Sequence, residues 1–391
     1  MASDARPPER LLNRAFVATC LVNFTGWAAG YALLATLALY AVGLGVPAAH
    51  VGWFPATASA FGLIGQVGAG RLQGWPRQTL LLRAPTLLMA AASLLMVAAP
   101  GVVTLIVVCA LFGLGYGVLQ NTAIVLATEA APPARRGQAI GLYGTFTTLA
   151  VLIAPATGIA ILQRFGGESV FVLTAALAVA TFGCTLLVRA SARRAVTRAQ
   201  RRERLHPLVF FAAVALFGMT ATWGTIVTYM PLYALELGLE NPGWFFTVQA
   251  LAVITLRAVT GGLSDRLGRI QVLVPATLVV AAAMWGLALH PAVPALLALA
   301  LLHGWGYAAF HPTTIALADD VSTPQTRGSA FALVGSAFSV GQGGGGLVMG
   351  YVLAATSYET MFAVAGCIPL LATGLCVWRW LAYPELRHKP G

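Results

Sequence analysis

The chain reads as an all-α membrane protein: twelve transmembrane helices in two pseudo-symmetric six-helix bundles. Its hydropathy, an internal repeat and the placement of its arginines predict this. Of 391 residues, 59% are hydrophobic and 9% charged, and the mean hydropathy is +0.82. A soluble domain carries about 25% charged residues, so lipid must solvate this chain. Tracts such as 16–40, 208–235 and 292–318 are nearly free of charge and exceed the roughly 20 residues a helix needs to cross a bilayer. The apolar runs are continuous rather than alternating, which excludes a β-barrel.

The repeat sets the size of the unit. Gly113-Leu-Gly-Tyr-Gly117 and Arg136-Gly-Gln-Ala139 recur as Gly304-Trp-Gly-Tyr-Ala308 and Arg327-Gly-Ser-Ala330, each 191 residues on (304 − 113 and 327 − 136). Gly70-Arg-Leu-Gln-Gly74 matches Gly261-Gly-Leu-Ser-Asp265 at the same offset, and Leu39-Tyr-Ala41 with Leu44-Gly45 matches Leu232-Tyr-Ala234 with Leu237-Gly238 at 193 (232 − 39). Landmarks that keep their order at a near-constant spacing indicate duplication.

Breaks at proline, glycine and charge clusters predict helices near 15–40, 49–72, 80–99, 102–128, 138–163, 168–188, 208–235, 243–264, 270–290, 292–318, 328–355 and 358–381. The domains are then an N-terminal bundle, 1–188, a basic linker, 189–206, and a C-terminal bundle, 207–391. An even number of spans per half makes the copies parallel repeats with both termini on one side. Arginines gather at alternate connections: 6, 10 and 14; 71, 77 and 83; 135 and 136; 189 to 204; 266 and 269; 327. Only Arg164 falls in the opposite set, which holds Glu168, Glu236, Glu240 and Glu359. The positive-inside bias puts both termini and the linker in the cytoplasm.

The net charge of +11 is therefore a topology signal, with some attraction to anionic lipid heads. The linker has no interleaved aromatics and lies between spans, so no nucleic acid is expected as a partner. Met1–Arg14 runs straight into an apolar helix with no small-residue cleavage pattern, so no removable leader is expected. The five cysteines fall inside apolar segments without metal spacing and read as small core residues. No cofactor and no metal are expected.

Gly261-x-x-x-Asp265-Arg266-x-Gly268-Arg269 resembles the loop signature of the major facilitator superfamily, and with the six-plus-six repeat the resemblance covers essentially the whole chain. It implies the major facilitator fold and alternating-access transport, with substrate held between the halves by helices 1, 4, 7 and 10. Asn23-Phe24, the Leu-Tyr-Ala and Leu-Gly helix ends, and Pro133-Ala-Arg-Arg-Gly137 are similar to small bacterial efflux members, including drug and opine-metallophore exporters. The first-half loop lacks the acidic and basic pair, and Ser339 stands where relatives often carry aspartate. Ala154-Pro-Ala-Thr-Gly158 is a degenerate form of an antiporter motif.

The same resemblance makes Asp265 the acceptor of a cytoplasmic latch onto the start of helix 5, beside Arg136, with Gly261, Arg266, Gly268 and Arg269 completing the gating loop. A carboxylate there interacts favourably with the exposed N–H groups and positive end of a helix. A loop staple with no role in switching is the competing reading. Arg257, eight residues before Asp265, is a charge embedded about two turns inside its helix. It either snorkels to the cytoplasmic face or binds an anionic group.

Residues four apart share a helix face. His303, Tyr307 and His311 form such a stripe, with Phe112, Tyr116 and Gln120 as their equivalents 191 residues earlier. Asn23, Trp27 and Tyr31 form another on helix 1. Asn121 on helix 4 and Thr222, Trp223 and Tyr229 on helix 7 complete the candidates. Polar groups avoid lipid, so these faces should point inward and line an aromatic cavity poor in fixed charge. Helix-to-helix hydrogen bonding is the competing use of each residue. Histidine titrates near neutral pH, which makes His303 or His311 the candidate proton carrier.

The function expected is proton-coupled export of a small amphipathic molecule by a monomer in the cell inner membrane, surrounded by membrane lipids. Uptake or facilitated diffusion of a polar nutrient and lipid flipping use the same cavity. A receptor or intramembrane enzyme is the reading of another class. The connections are too short for a sensory domain, and the histidines lack the nucleophile or third metal ligand that an enzyme would need.

Overall fold

A computed structural model describes residues 12–72, 78–132, 135–188, 205–323 and 326–382. The linker at 189–204, the side chains of Arg136 and Arg257, and the surroundings of Gly261 lie outside the described residues. Twelve α-helices occur among the described residues: α1 (Arg14–Gly43), α2 (Trp53–Arg71), α3 (Gln78–Ala98), α4 (Val102–Ala130), α5 (Arg136–Phe165), α6 (Gly167–Leu186), α7 (Pro207–Glu236), α8 (Gly243–Leu267), α9 (Arg269–Leu287), α10 (Val293–Asp320), α11 (Arg327–Ala355) and α12 (Tyr358–Ala382). Ten are long and apolar enough to span a bilayer. Glycine-rich and alanine-rich α2 is not one of them, and of α8 the apolar stretch is Gly243–Leu256. Leucines and valines such as Leu371, Leu375, Val103 and Val179 are exposed on the outward faces, where acyl chains replace water.

Helix ends explain one of the repeated landmarks. Gly45 and Gly238 follow α1 and α7 with φ of 85° and 86°, the left-handed region that glycine enters at little cost. The chain then folds back identically in both copies: Val46 N–H donates to the Ala41 carbonyl at 3.1 Å and Leu239 N–H to Ala234 at 2.8 Å, a glycine-terminated C-cap. At the opposite end Asn13 caps α1, its Oδ1 accepting from Phe16 N–H at 2.8 Å while its Nδ2 donates to the Ala130 carbonyl at 2.7 Å. That bond places the start of α1 beside the end of α4.

Packing repeats as well. In the first six helices α1 packs on α5 and α6, α2 on α4, and α3 on α4 and α6; six positions on, α7 packs on α11 and α12, α8 on α10, and α9 on α10 and α12. The Gly-x-Gly-Tyr landmark is the contact that sets this pattern. Gly113 lies against the Ala58 backbone of α2, and Gly115 against the Pro85 carbonyl of α3. Gly304 lies against the Gln249 carbonyl of α8, and Gly306 against the Ala276 carbonyl of α9. Each contact recurs at the 191-residue offset, because only a residue without Cβ lets the backbones approach so closely.

Across the two sets, α1 meets α7, α2 meets α11 and α5 meets α8. The close contacts gather at the end where α1, α5 and α7 finish. Gly52 and Gly346 touch through backbone, as do Ala49 and Gly350, and Gly343 receives Ser59. Gln163 donates to the Glu240 carbonyl at 2.6 Å, Asn241 to Ala156 at 3.2 Å and Thr247 to Leu152 at 2.8 Å.

Candidate functional site

Between these sets, at mid-helix, lies a continuous chain of rings. On α1, Trp27 and Tyr31 stack at 5.4 Å between centroids. Trp27 meets Tyr116 of α4 edge to face at 5.7 Å. Tyr31 lies 6.2 Å from Trp223 of α7, which lies 5.7 Å from Tyr307 and 6.4 Å from His303 of α10. Tyr307 stacks on His303 at 6.3 Å and on His311 at 5.8 Å, and His311 meets Phe338 of α11 at 5.6 Å.

Burial divides this cluster by depth. Tyr31, Trp223 and His303 are 5%, 5% and 0% exposed, whereas Trp27, Tyr116, Gln120, Tyr307 and His311 are half-buried. The buried set forms a roof on the side of the tight cross-set contacts, and the half-buried set lies beneath it, toward the start of α1. Hydrogen bonds cross the roof at the Tyr31 hydroxyl: the Trp223 indole N–H donates to it at 3.2 Å, and the Gln342 side chain of α11 bonds it as well. Under the roof Trp27 donates its indole N–H to Gln120 Oε1 at 2.7 Å, and the Gln120 amide nitrogen is buried without a partner.

The remaining candidates lie elsewhere. Asn23 joins α1 to α5, donating to the Tyr143 carbonyl and to the Thr147 hydroxyl, both at 2.9 Å. Thr222 is fully buried and returns its hydroxyl to Met219 of its own helix at 2.7 Å. Tyr229 reaches the Gly346 carbonyl at 2.9 Å, in the sealed end rather than among the rings. Asn121 is half-buried on α4.

The residue that sequence reasoning passed over is Gln249 of α8, whose amide lies 2.6 Å from His303 Nδ1. It is the only amide side chain in α8, a signal as clear as the histidines. His303 Nε2 and Gln249 Oε1 are buried without partners. His303 is thus held from the side by α8, while half-buried His311 lies between the rings of Tyr307 and Phe338.

At the cytoplasm-assigned end, Asp265 pairs with Arg269 at 2.5 Å, and Arg269 also bonds Asp320 at 2.8 Å, tying the α8–α9 turn to the end of α10. Asp319 pairs with Arg327 at 2.5 Å. Gly268 makes the turn with φ 100°, and α8 continues through Asp265 and Arg266 to Leu267, past the end at 264 that the sequence predicts. No group of three or more metal-ligating side chains occurs among the described residues.

The Major Facilitator Superfamily model matches residues 15–243 and 241–391. The staphylopine export protein of Staphylococcus aureus (strain Mu50 / ATCC 700699) is 23% identical over 262 residues, covering 62% of this chain and 65% of that protein, a little under two thirds of its length. The multidrug resistance protein MdtG of Serratia proteamaculans (strain 568) is 26% identical over 319 residues, 77% of this chain and 76% of that one. A crystal structure of the peptide transporter POT in complex with sulfate superposes with a TM-score of 0.79 at 14% identity, covering 95% of each chain; it establishes likeness of fold. The chain belongs to the major facilitator superfamily, a family of transporters rather than enzymes, and is a multi-pass protein of the bacterial inner membrane.

Proposed function

We propose that this protein exports a small amphipathic molecule by alternating access, coupled to proton entry. The observation that carries the reading is the hydrogen bond between Trp223 and Tyr31, which joins α7 to α1 above a half-buried aromatic surface. Such a bond closes one face of a central site while the other stays reachable, and breaking it lets the two sets rock. The relatives named as an export protein and an efflux pump support the direction. The recurrence of the helix pairings six positions on supports twelve spans in two bundles, 1–188 and 207–391. The arginine bias supports cytoplasmic termini and linker. The protein acts as a monomer.

His311 is the proton carrier in this reading, because it lies half-buried among the reachable rings, whereas His303 is sealed against Gln249. Asp265 is held by Arg269 while this end is apart, and it docks on the start of α5 when the end closes. The experiment is substrate flux in proteoliposomes under an imposed pH gradient. Wild type should respond to the gradient, His311→Ala should lose the response, and His303→Ala should keep it with reduced flux. Asp265→Asn should slow the cycle without changing thermal stability. Wild-type flux that ignores the gradient refutes the coupling, and inward flux refutes export.

A further inference from the structure

A second aromatic cluster, separate from the ring chain, closes α7 at its outer end. Tyr233 is fully buried, donates its hydroxyl to the Leu287 carbonyl of α9 at 2.9 Å, and packs on Tyr358 and Phe362 of α12, each at 5.1 Å. His290, in the turn between α9 and α10, meets Tyr233 edge to face at 6.0 Å, and its Nδ1 faces Glu359 Oε1 at 3.4 Å. Its φ of 51° is the only positive value at a non-glycine among the described residues. Such a backbone is uncommon for a residue with a Cβ and persists where its surroundings hold it. The titratable groups around the imidazole are Tyr233 and Glu236 of α7 and Tyr358 and Glu359 of α12, with the Glu236 charge acting on both tyrosines. Of these side-chain types, histidine is the one that changes charge between pH 5 and 8.

α7 joins this cluster to the seal. One turn inward of Tyr233, the Tyr229 hydroxyl bonds the Gly346 carbonyl at 2.9 Å and lies against Gly52 of the first set. Between the two tyrosines, Pro231 leaves the Val227 carbonyl without its helical donor. Thr222, Thr225 and Thr228 turn their hydroxyls back onto α7 carbonyls at 2.7, 2.9 and 2.7 Å, a pattern that often bends helices. The end of α7 is therefore hinged, and the cluster is what pins it. On the alternating access proposed above, we infer that His290 is a sensor of external pH. Charged, it pins the end of α7 to α12, so that α7 leaves Gly52 with the rest of its set and the outer end opens. Neutral, it loosens that end, and α7 bends at Pro231 and keeps the seal.

The test is modification of Ser59→Cys, a position packed against Gly343 across the seal, by a membrane-impermeant thiol reagent outside right-side-out vesicles holding the full chain. The same pH on both sides leaves no gradient to act. His290→Asn is the control, because asparagine tolerates the left-handed backbone and carries no proton. The ratio of the rates with His290 and with His290→Asn cancels the reagent's own response to pH. It should rise by about 1.5- to 5-fold from pH 8 to pH 5.5, the range of one exposed ion pair, and Glu359→Gln should abolish the rise. A ratio that stays flat or falls overturns the sensor, as does a rise kept in Glu359→Gln. If His290→Asn does not fold, the rate with His290 measured against that of N-acetylcysteine decides by the same signs. No modification at any pH in any variant sinks the opening itself, and the sensor with it; modification that ignores His290 sinks the sensor alone.

Discussion

Replacing Trp223 by Phe removes the indole nitrogen that donates to the Tyr31 hydroxyl at 3.2 Å across the roof, together with part of a buried ring that also meets Phe246, His303 and Tyr307. Hydrogen bonds between membrane helices contribute on average about 0.6 kcal/mol and at most about 1.7. At 1.4 kcal/mol per factor of ten, the roof bond shifts the balance between sealed and open by roughly 3- to 16-fold. Ser59 reports the change, since its side chain packs against Gly343 of α11 only while α2 and α11 touch. With Ser59→Cys as the reporter, Trp223→Phe should raise the rate of modification by a membrane-impermeant thiol reagent added outside by that factor. Tyr31→Phe should raise it at least as much, because its hydroxyl also bonds the Gln342 side chain of α11, and Trp223→Phe made on top of Tyr31→Phe should add no further loss of that bond. Additive effects, or an unchanged rate in Trp223→Phe, would show that the bond does not hold the two sets together.

Gly304→Ala places a methyl against the Gln249 carbonyl, where backbone rather than a flexible side chain must yield. Overpacking of this kind costs about 1–3 kcal/mol, and thermal unfolding should show it, with Gly344→Ala, whose added Cβ meets nothing within 4 Å, near neutral. His206 caps α7, its Nδ1 accepting from Leu208 N–H at 3.3 Å, and burial first, then nearby Arg379, hold its pKa below 6.5. The unfolded chain therefore takes the proton first, so the stability present above about pH 6.5 declines as pH falls toward the lowered folded value. The thermal midpoint of His206→Asn, which caps without titrating, should fall less between pH 7 and pH 5 than that of wild type.

The fold is legible in the sequence because its causes are local or periodic. Charge-free tracts mark helices whatever they pack against, and the 191-residue spacing records contacts that both copies must make. Gly113, Gly115, Gly304 and Gly306 stand out in sequence for the reason they matter in space, since each lets a neighbouring backbone come within van der Waals reach. The two helix-end glycines are legible in the same way, because a left-handed residue terminates a helix without reference to anything distant. The start of the α8–α9 turn is less so. Asp265 and Arg266 suit a loop, but the pairing of Asp265 with Arg269 one turn on, and of Arg269 with Asp320, lets the helix run to Leu267.

Which inward-facing polar residue meets a ligand and which meets another helix is decided by depth and by the partner, and neither is written in a stripe. Asn23, Trp27 and Tyr31 share one face of α1, yet Asn23 spends its amide nitrogen on the Tyr143 carbonyl and the Thr147 hydroxyl of α5. Tyr31 instead closes the roof with Trp223. Tyr229 looks equivalent to Trp223 by composition and lies six residues farther along α7, which carries it from the ring cluster into the seal beside Gly346. The histidines divide for the same reason. Gln249 is the partner that removes His303 from the reachable surface, and Gln249 takes that place because its own backbone carbonyl is the surface on which Gly304 packs. The repeat therefore does two jobs at one point: the glycine that sets the distance between α8 and α10 also brings the amide to the imidazole. His311, two turns along α10, lies outside that constraint and stays among the half-buried rings.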